Sequence, residues 1–222
     1  FGIISLDEQG YAKEIVEKPI KGLNVGNLAN AGIYIFNSKL FDAIDQTKKS
    51  IRGEYEITDS FAIMIKKGLK ILGYDLSQFF WSDIGLPWQL LDANKFILDK
   101  IEAEINGIVE DNVIIKNKVF IGKDTRIMSG TYIEGPVYIG EGNKIGPNAH
   151  IRPYSCICNN CHIGNSSEVK NSIAMSNTNF PHFNYVGDSI IGEKVNFGAG
   201  TKIANIKLTG TSVKMIVEGK II

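Results

Sequence analysis

Apolar residues return at every sixth position through the middle of the chain. The series has eleven members, which are Val109, Ile115, Ile121, Ile127, Ile133, Ile139, Ile145, Ile151, Ile157, Ile163 and Val169. A six-residue period fits neither the 3.6-residue period of a helix nor the alternation of a strand, and it is typical of a parallel β-helix built from hexapeptides. The pattern therefore predicts three short strands per coil, with the apolar residues stacked inward.

A second restricted position lies four residues after these apolar residues. It holds compact side chains, which are Thr125, Thr131, Val137, Ala149, Ser155, Cys161 and Ser167. Such side chains suit a narrow interior, so we predict that they are buried. The repeat is predicted to break over residues 174–184 and to resume at Tyr185, Ile191, Phe197 and Ile203.

Residues 1 to about 100 show a different pattern, in which apolar strands alternate with helices. Strands are expected over residues 2–5, 11–17, 31–36 and 69–74, and helices are expected from Ser38 to about Thr47, after a cap at Thr58, and from about Pro87 to Lys100. The segment 31–36 is nearly all apolar, as in a strand covered on both faces. This alternation favours an α/β domain, although so few strands leave a sheet edge exposed.

Two domains are therefore predicted, over residues 1–100 and 101–222. A short joint at residues 102–107 is expected to lead into the hexapeptides. Residues 213–222 leave the pattern, and we expect a strand, a turn at Glu218-Gly219 and the start of another strand there.

Composition excludes few functions. The chain has 222 residues, with 24 basic and 24 acidic ones, and this neutral balance gives no indication of a nucleic-acid or membrane-surface partner. No run of 18 apolar residues predicts a membrane span, and the first residues lack the features of a signal peptide. Because the chain lacks an initial Met and ends on apolar residues, we expect it to be part of a larger protein.

Three cysteines lie close together in the repeat. Cys161 occupies the compact interior position, whereas Cys156 and Cys158 flank Ile157 and should point outward. The three thiols are therefore expected to diverge and not to form a metal site. An odd number at this spacing is also a poor disulfide framework, so free thiols and a cytoplasmic location are expected.

Two basic residues are expected to lie one above the other. Arg152 and Lys170 each follow an inward residue and are 18 residues apart, which is one full coil. Their backbones should then be roughly 5 Å apart, the spacing of paired strands. A phosphate between them would relieve the repulsion. The alternative is two solvated basic residues on a long surface.

His182 lies in the expected break, where a loop histidine can act as a general base near neutral pH. It can equally be a surface residue. The same segment holds polar side chains able to orient a sugar, which are Asn177, Asn179, Asn184 and Tyr185. Residues 196–200 follow, and glycines on both sides of Ala199 would allow a thioester cofactor to approach the backbone. Alternatively, these glycines only serve turns.

Four segments in order resemble the acetyltransferase domain of the bifunctional N-acetylglucosamine-1-phosphate uridylyltransferase family, most of all its archaeal sugar-1-phosphate nucleotidylyltransferase relatives. They are Arg152-Pro153 and residues 168–172, 182–188 and 195–201. The resemblance implies a left-handed β-helix that forms homotrimers. It also implies acetyl transfer from acetyl-CoA to the amine of glucosamine-1-phosphate or galactosamine-1-phosphate.

The resemblance also implies roles for single residues of the repeat. His182 resembles the general base, and Arg152 and Lys170 resemble the residues that hold the phosphate. Further positions that match the family are the substrate contacts Tyr185 and Asn196, the acetyl-CoA backbone contact Ala199, and Asn205 near the acceptor sugar. The aromatic residue that follows this asparagine in the family is Ile206 here, so that contact differs.

Three further segments resemble the second half of the same family's nucleotidyltransferase domain, which is Rossmann-like. They are residues 15–19, 30–34 and 81–85. The resemblance implies that Glu17 and Asn30 contact the sugar, that Lys18 meets phosphate and that Asp83 binds Mg²⁺. In the family, the complete domain couples a sugar 1-phosphate to a nucleoside triphosphate and releases pyrophosphate. Its glycine-rich loop and first metal-binding aspartate precede these segments, so this chain alone is not expected to make a nucleotide-sugar.

The expected fold is thus a partial α/β nucleotidyltransferase domain followed by an all-β, left-handed parallel β-helix of hexapeptide repeats. A rival interpretation keeps the nucleotidylyltransferase but treats the β-helix only as an oligomerisation or regulatory module. Under that interpretation His182 and the stacked cations are incidental.

Overall fold

The computed structural model describes residues 2–19, 25–217 and 219–222. The chain divides into two compact units, Phe1–Trp81 and Ser82–Ile222. In the described part of the chain, no helix is long and apolar enough to cross a membrane.

The first unit has a small antiparallel sheet and two helices. The strands are β1 (Gly2–Leu6), β2 (Ala12–Glu17) and β3 (Leu28–Ala29), in the order β2-β1-β3, and the helices are α1 (Lys39–Ile44) and α2 (Ile57–Lys66). Helix α2 packs on β2 and on α1, and its Phe61 and Met64 are buried. The first two strands and both helices were therefore correctly expected.

Two of the strands expected in this unit do not form. Residues 31–36 lie outside any strand, and Ile33 and Ile35 are 70% and 98% exposed. No described strand pairs with this segment, and an apolar run cannot form a strand without a neighbour to complete its backbone hydrogen bonds. With the described residues, the segment 69–74 forms a single bridge, between Tyr11 and Leu72.

The expected cap at Thr58 is also wrong. The N-cap of α2 is Glu56, and Thr58 lies buried inside the first turn. Its hydroxyl donates to Glu17 Oε2 at 3.3 Å, so it joins the helix to the sheet instead of capping the helix.

The second unit begins with helix α3 (Pro87–Asp99), close to the predicted bounds. Pro87 lies in the first turn, where its fixed φ suits a helix and its missing N–H has no cost. Gln89 Oε1 accepts hydrogen bonds from the backbone N–H groups of Gly85 and Leu86, at 2.9 and 2.8 Å. These hydrogen bonds fix the backbone just before the first turn of the helix.

The rest of the second unit is a parallel β-solenoid with three sheets and three strands per coil, as the repeat predicted. The first sheet contains β4 (Glu104–Ile105), β7 (Val119–Ile121), β10 (Val137–Ile139), β13 (Cys156–Ile157), β16 (Ile173–Ala174) and β19 (Ile190–Ile191). The second contains β5 (Ile108–Val109), β8 (Arg126–Ile127), β11 (Lys144–Ile145), β14 (His162–Asn165) and β17 (Asn179–His182). The third contains β6 (Ile114–Lys116), β9 (Tyr132–Glu134), β12 (His150–Ile151), β15 (Glu168–Lys170), β18 (Tyr185–Gly187) and β20 (Lys202–Ile203).

The interior agrees with the two predicted positions of the hexapeptide. The apolar residues from Ile121 to Val169 have no solvent exposure, and all seven of the compact residues are buried. Only the first coil departs, because Val109 lies at the edge of the column and is 37% exposed. The handedness of the coils stays a prediction.

The ends of the solenoid differ in detail from expectation. Strand β4 already pairs with β7, so the solenoid begins inside the expected joint at residues 102–107. At the other end, β21 (Ile216–Val217) and β22 (Lys220–Ile221) form an antiparallel hairpin. The expected turn residue Glu218 lies outside the described residues.

The predicted break over residues 174–184 is wrong. Strands β16, β17 and β18 continue all three sheets through it. The spacing between successive inward residues falls from six to five at two places, from Val169 to Ala174 and from Val186 to Ile191. A coil that contains one of these shorter spacings has 17 residues instead of 18. A turn that is one residue shorter preserves the register of the strands, because the ladder hydrogen bonds depend on the strands and not on the length of the turn. As a result, Val186 and not Tyr185 is the fully buried residue of β18.

Candidate functional site

His182 is the last residue of β17, at the corner where the second sheet passes into the third. Its backbone N–H donates to Asn184 Oδ1 at 3.1 Å, and its carbonyl accepts from the N–H of Gly200 at 3.1 Å. The side chain is exposed. The backbone is therefore held from two directions, while the imidazole faces solvent where a substrate could reach it.

Asn184 lies inside the solenoid, which contradicts the expectation that it orients a sugar. It is buried, its Nδ2 donates to the carbonyl of Gly198 at 2.8 Å, and its N–H donates to Ser167 Oγ at 3.2 Å. It joins the segment of His182 to the next coil. Asn184 lies four residues after Phe180, and this is the compact interior position of the hexapeptide. The sequence would have predicted that Asn184 is buried if Phe180 had been recognised as an inward residue.

The glycine-rich segment lies beside His182 in the next coil. Asn196 is exposed and bridges to Asn179 of β17, and Ala199 is exposed in the following turn. Gly200 has a φ of 75°, and an added Cβ would lie 2.9 Å from the ring of Phe183. Only glycine fits both the backbone conformation and this close approach.

Arg152 and Lys170 lie on neighbouring coils of the third sheet. The N–H of Arg152 donates to the carbonyl of Val169 at 2.8 Å, which places the two cations at adjacent positions after β12 and within β15. Both side chains line one cleft of about 360 Å³. A helix residue, Lys95, and the turn residue Tyr154 line it as well.

Each of these two cations already has an acidic partner. Arg152 Nη1 lies 2.8 Å from Glu168 Oε1, and Lys170 Nζ lies 3.1 Å from Asp188 Oδ2. The hydrogen bond to Glu168 raises the pKa of Arg152. These carboxylates offset the repulsion between the cations, so their stacking does not by itself require a bound anion.

Asp188 was not singled out from the sequence, yet it contacts two of the expected site residues, Lys170 and Asn205, and their neighbour Asn171. Its Oδ1 accepts from Asn171 Nδ2 at 2.7 Å, and its N–H donates to the carbonyl of Lys170 at 3.0 Å. Its carbonyl accepts from Asn205 Nδ2 at 2.8 Å, so the exposed Asn205 is held against the same turn.

Tyr185 extends along the third sheet between the histidine corner and the cations. It is the first residue of β18, and its hydroxyl lies 2.7 Å from where a Cβ of Gly187 would be. Gly187 pairs directly with Lys170. From residue 185 to residue 187 the strand covers roughly 7 Å, at about 3.3 Å per residue. One side chain therefore reaches from the side of His182 toward Lys170.

The residues expected to contact sugar in the first unit surround Gly2. An added Cβ at Gly2 would lie 2.9 Å from Glu17 Oε2 and 3.5 Å from Asn30 Cβ. Asn30 is held by its Nδ2, which donates to the Tyr34 hydroxyl at 2.5 Å. Lys18 follows β2 with a φ of 42° and is exposed. The strand order thus brings Glu17 and Asn30 together.

Asp83 belongs to the second unit and is an exposed residue ahead of α3. Mg²⁺ is commonly held by one or two carboxylates together with waters and substrate phosphates. Among the described residues, no group of three or more histidine, cysteine or acidic side chains could hold a metal ion. A single carboxylate does not define a metal site.

The cysteine thiols differ from the expectation that all three diverge. Cys161 is buried, and its thiol donates to the carbonyl of Met175 at 3.3 Å. Cys156 and Cys158 instead share a hydrogen bond on the outer face of β13. That bond lowers the pKa of Cys158 to about 7, while the same bond and burial raise the pKa of Cys156.

Cys158 should consequently be the first thiol to react with iodoacetamide. The thiolate is the nucleophile, so its alkylation rate should rise as the pH passes through about 7, whereas Cys161 stays protected by burial. Peptide mapping by mass spectrometry measures each site. Cys158→Ser should remove the pH-sensitive reaction, and equal rates at all three thiols would contradict the assignment.

The fold and the matched regions define a class of protein in which a nucleotidyltransferase region is joined to a hexapeptide β-solenoid. Residues 1–100 match the family model described as "Nucleotidyl transferase". Residues 133–221 match the model described as "GMPPB C-terminal domain".

The chain is similar in sequence to several archaeal proteins. It is 50% identical over 224 residues to "Bifunctional protein GlmU" of Methanocaldococcus jannaschii, covering 99% of this chain and 53% of that protein. It is 49% identical to the "Bifunctional sugar-1-phosphate nucleotidylyltransferase/acetyltransferase" of Sulfurisphaera tokodaii, with coverage of 99% and 54%. It is 33% identical to the "Low-salt glycan biosynthesis nucleotidyltransferase Agl11" of Haloferax volcanii, with coverage of 90% and 55%. The chain thus spans about half the length of these relatives.

Proposed function

We propose that the solenoid transfers the acetyl group of acetyl-CoA to the amine of glucosamine-1-phosphate or galactosamine-1-phosphate. The observation that carries this proposal is the position of Tyr185, which extends from the corner of His182 toward Lys170 along one sheet. An amino sugar lying along this sheet would present its amine at one end and its phosphate at the other. The names of two relatives, which include acetyltransferase or GlmU, support the same assignment.

In the proposed reaction, His182 removes a proton from the acceptor ammonium, and the neutral amine then attacks the thioester carbonyl. The new C–N bond forms as the C–S bond breaks, and the coenzyme thiolate takes up a proton. The backbone N–H of Ala199 would stabilise the negative charge that develops on the carbonyl oxygen. Arg152 and Lys170 hold the phosphate, while Tyr185, Asn196 and Asn205 contact the sugar.

For the first region we propose a part in coupling a sugar 1-phosphate to a nucleoside triphosphate, with release of pyrophosphate. Glu17 and Asn30 would bind sugar hydroxyls, and Lys18 would meet the phosphate. We also propose that Asp83 would hold Mg²⁺, which would balance phosphate charge in that reaction. A homotrimer is proposed as the assembly.

A second function is favoured by two observations. The Haloferax relative is named only as a nucleotidyltransferase, and both stacked cations already have acidic partners. In this case the protein is a nucleotidylyltransferase, and the solenoid serves only for oligomerisation or regulation.

One assay separates these functions. The protein is incubated with acetyl-CoA and each amino-sugar 1-phosphate, and both coenzyme thiol release and the acetylated sugar are measured, the latter by mass spectrometry. We expect acetylated product with at least one of the two sugars and none with unphosphorylated glucosamine. No product with either sugar would favour the structural solenoid.

A further inference from the structure

The cleft that holds Arg152 and Lys170 receives a third cation from the helix in front of the solenoid. Lys95, on α3, lines the same cleft of about 360 Å³. We propose that Lys95 binds the acceptor phosphate together with these two residues. The inference deepens the proposed acetyltransferase function and rests on it for the identity of the ligand.

Lys95 differs from the other two cations of the cleft in its ion pairing. Arg152 and Lys170 are paired with Glu168 and Asp188, whereas Lys95 makes no ion pair with any described residue. The cleft lining holds three cations and the two carboxylates of Asp92 and Asp188, and Glu168 supplies a third negative charge beside Arg152. The three cations are thus balanced overall, but Lys95 can meet an anion without giving up an ion-pair partner.

Local contacts place Lys95 at the cleft. Its ammonium group lies 4.8 Å from the centre of the Tyr154 ring, a distance at which the face of the ring attracts a cation. The adjacent Asn94 donates from Nδ2 to the carbonyl of Tyr154 at 3.0 Å. The Tyr154 side chain also shares a hydrogen bond with Asp99 at the end of α3. The helix is thus attached to the turn that directly follows Arg152.

The composition of the cleft suits a terminal phosphate. A phosphate monoester carries a charge of about −1.5 to −2 at pH 7 and has three acceptor oxygens. The guanidinium of Arg152 can contact two oxygens at once, while the ammonium groups of Lys95 and Lys170 act as point charges around the third. An amino sugar without phosphate would leave Lys95 without an anionic partner, so the cleft should discriminate against it.

The test is the acetyl-transfer assay with Lys95→Met. Loss of a charge-assisted hydrogen bond should raise the KM for the amino-sugar 1-phosphate roughly 10- to 100-fold. The kcat and the KM for acetyl-CoA should stay close to their original values, because Lys95 would contact the unreacting phosphate and bind ground state and transition state alike. Lys95→Arg should restore most of the affinity.

Lys100→Met is the matched control, since Lys100 follows the same helix and also has an aromatic partner, with its ammonium 3.9 Å from the Phe96 ring centre. It should leave the KM for the acceptor unchanged. An equal rise of KM in both variants would overturn the inference, because it would reflect only the general charge of the helix.

Calorimetric titration without acetyl-CoA separates this inference from the proposed reaction. The original protein and Lys95→Met are titrated with glucosamine-1-phosphate, galactosamine-1-phosphate and inorganic phosphate. Weaker binding to the variant supports the inference even if no acetyl product forms, in which case only the proposed reaction fails. Equal affinities, or no binding of any of these anions to the original protein, would refute the role of Lys95.

Discussion

Replacement of His182 by alanine should lower the kcat of acetyl transfer by roughly 10²- to 10⁴-fold, the usual contribution of general acid–base catalysis. The imidazole is exposed at the end of β17, while the backbone is held by Asn184 and Gly200. Removal of the ring should therefore abolish proton removal without disturbing the coil. The rate is measured from the acetylated sugar, and circular dichroism checks the fold.

The matched control for this variant is His150→Ala. His150 is half-exposed on the solenoid, where its Nε2 lies 3.1 Å from Glu134, and it has no role in the proposed reaction. Its replacement should leave kcat essentially unchanged. If His182→Ala retained the original rate, His182 would be removed from the mechanism and the structural interpretation of the solenoid would gain support.

Replacement of Phe180 by alanine should lower the free energy of unfolding by about 3–5 kcal/mol, the usual cost of deleting a buried aromatic ring. Phe180 has no solvent exposure, and its ring centre lies 4.8 Å from that of Phe197 in the next coil. The cavity would lie directly inside the strand that carries His182. Urea denaturation followed by circular dichroism measures the change.

Leu208→Ala provides the comparison, because Leu208 is fully exposed. Its replacement should change stability by no more than about 0.5 kcal/mol, as for most surface substitutions. A loss below about 1 kcal/mol in Phe180→Ala would be too small for a buried aromatic residue. It would then contradict the continuous register of the solenoid and favour the break expected from the sequence.

The solenoid was predictable because its pattern reflects local burial repeated at a fixed period. The inward column from Ile121 to Val169 agrees with the structure residue by residue. The same reasoning failed at Tyr185, because a turn shortened by one residue changes which side chain points inward while the strands stay in register. Because of this error, Asn184 was expected on the surface, and the segment that forms strand β17 was expected to be a loop.

The first region was less predictable, since its strands depend on distant partners. Residues 31–36 have the composition of a buried strand, yet no described strand pairs with them. By contrast, α3 was predicted well because Pro87 and the residues that follow it specify a helix locally. What could not be foreseen was its attachment to Tyr154, a contact across 60 positions of the chain.

The hexapeptide period was enough to predict the solenoid and the stacking of Arg152 on Lys170, because burial repeats at fixed positions along the chain. The continuity of β17, the pairing of Arg152 and Lys170 with Glu168 and Asp188, and the approach of Lys95 on α3 to their cleft became visible only in the folded protein. These features depend on contacts between coils and between a helix and a turn. These contacts are stabilised by packing and electrostatic interactions between residues that are far apart in the chain, so no local sequence pattern predicts them.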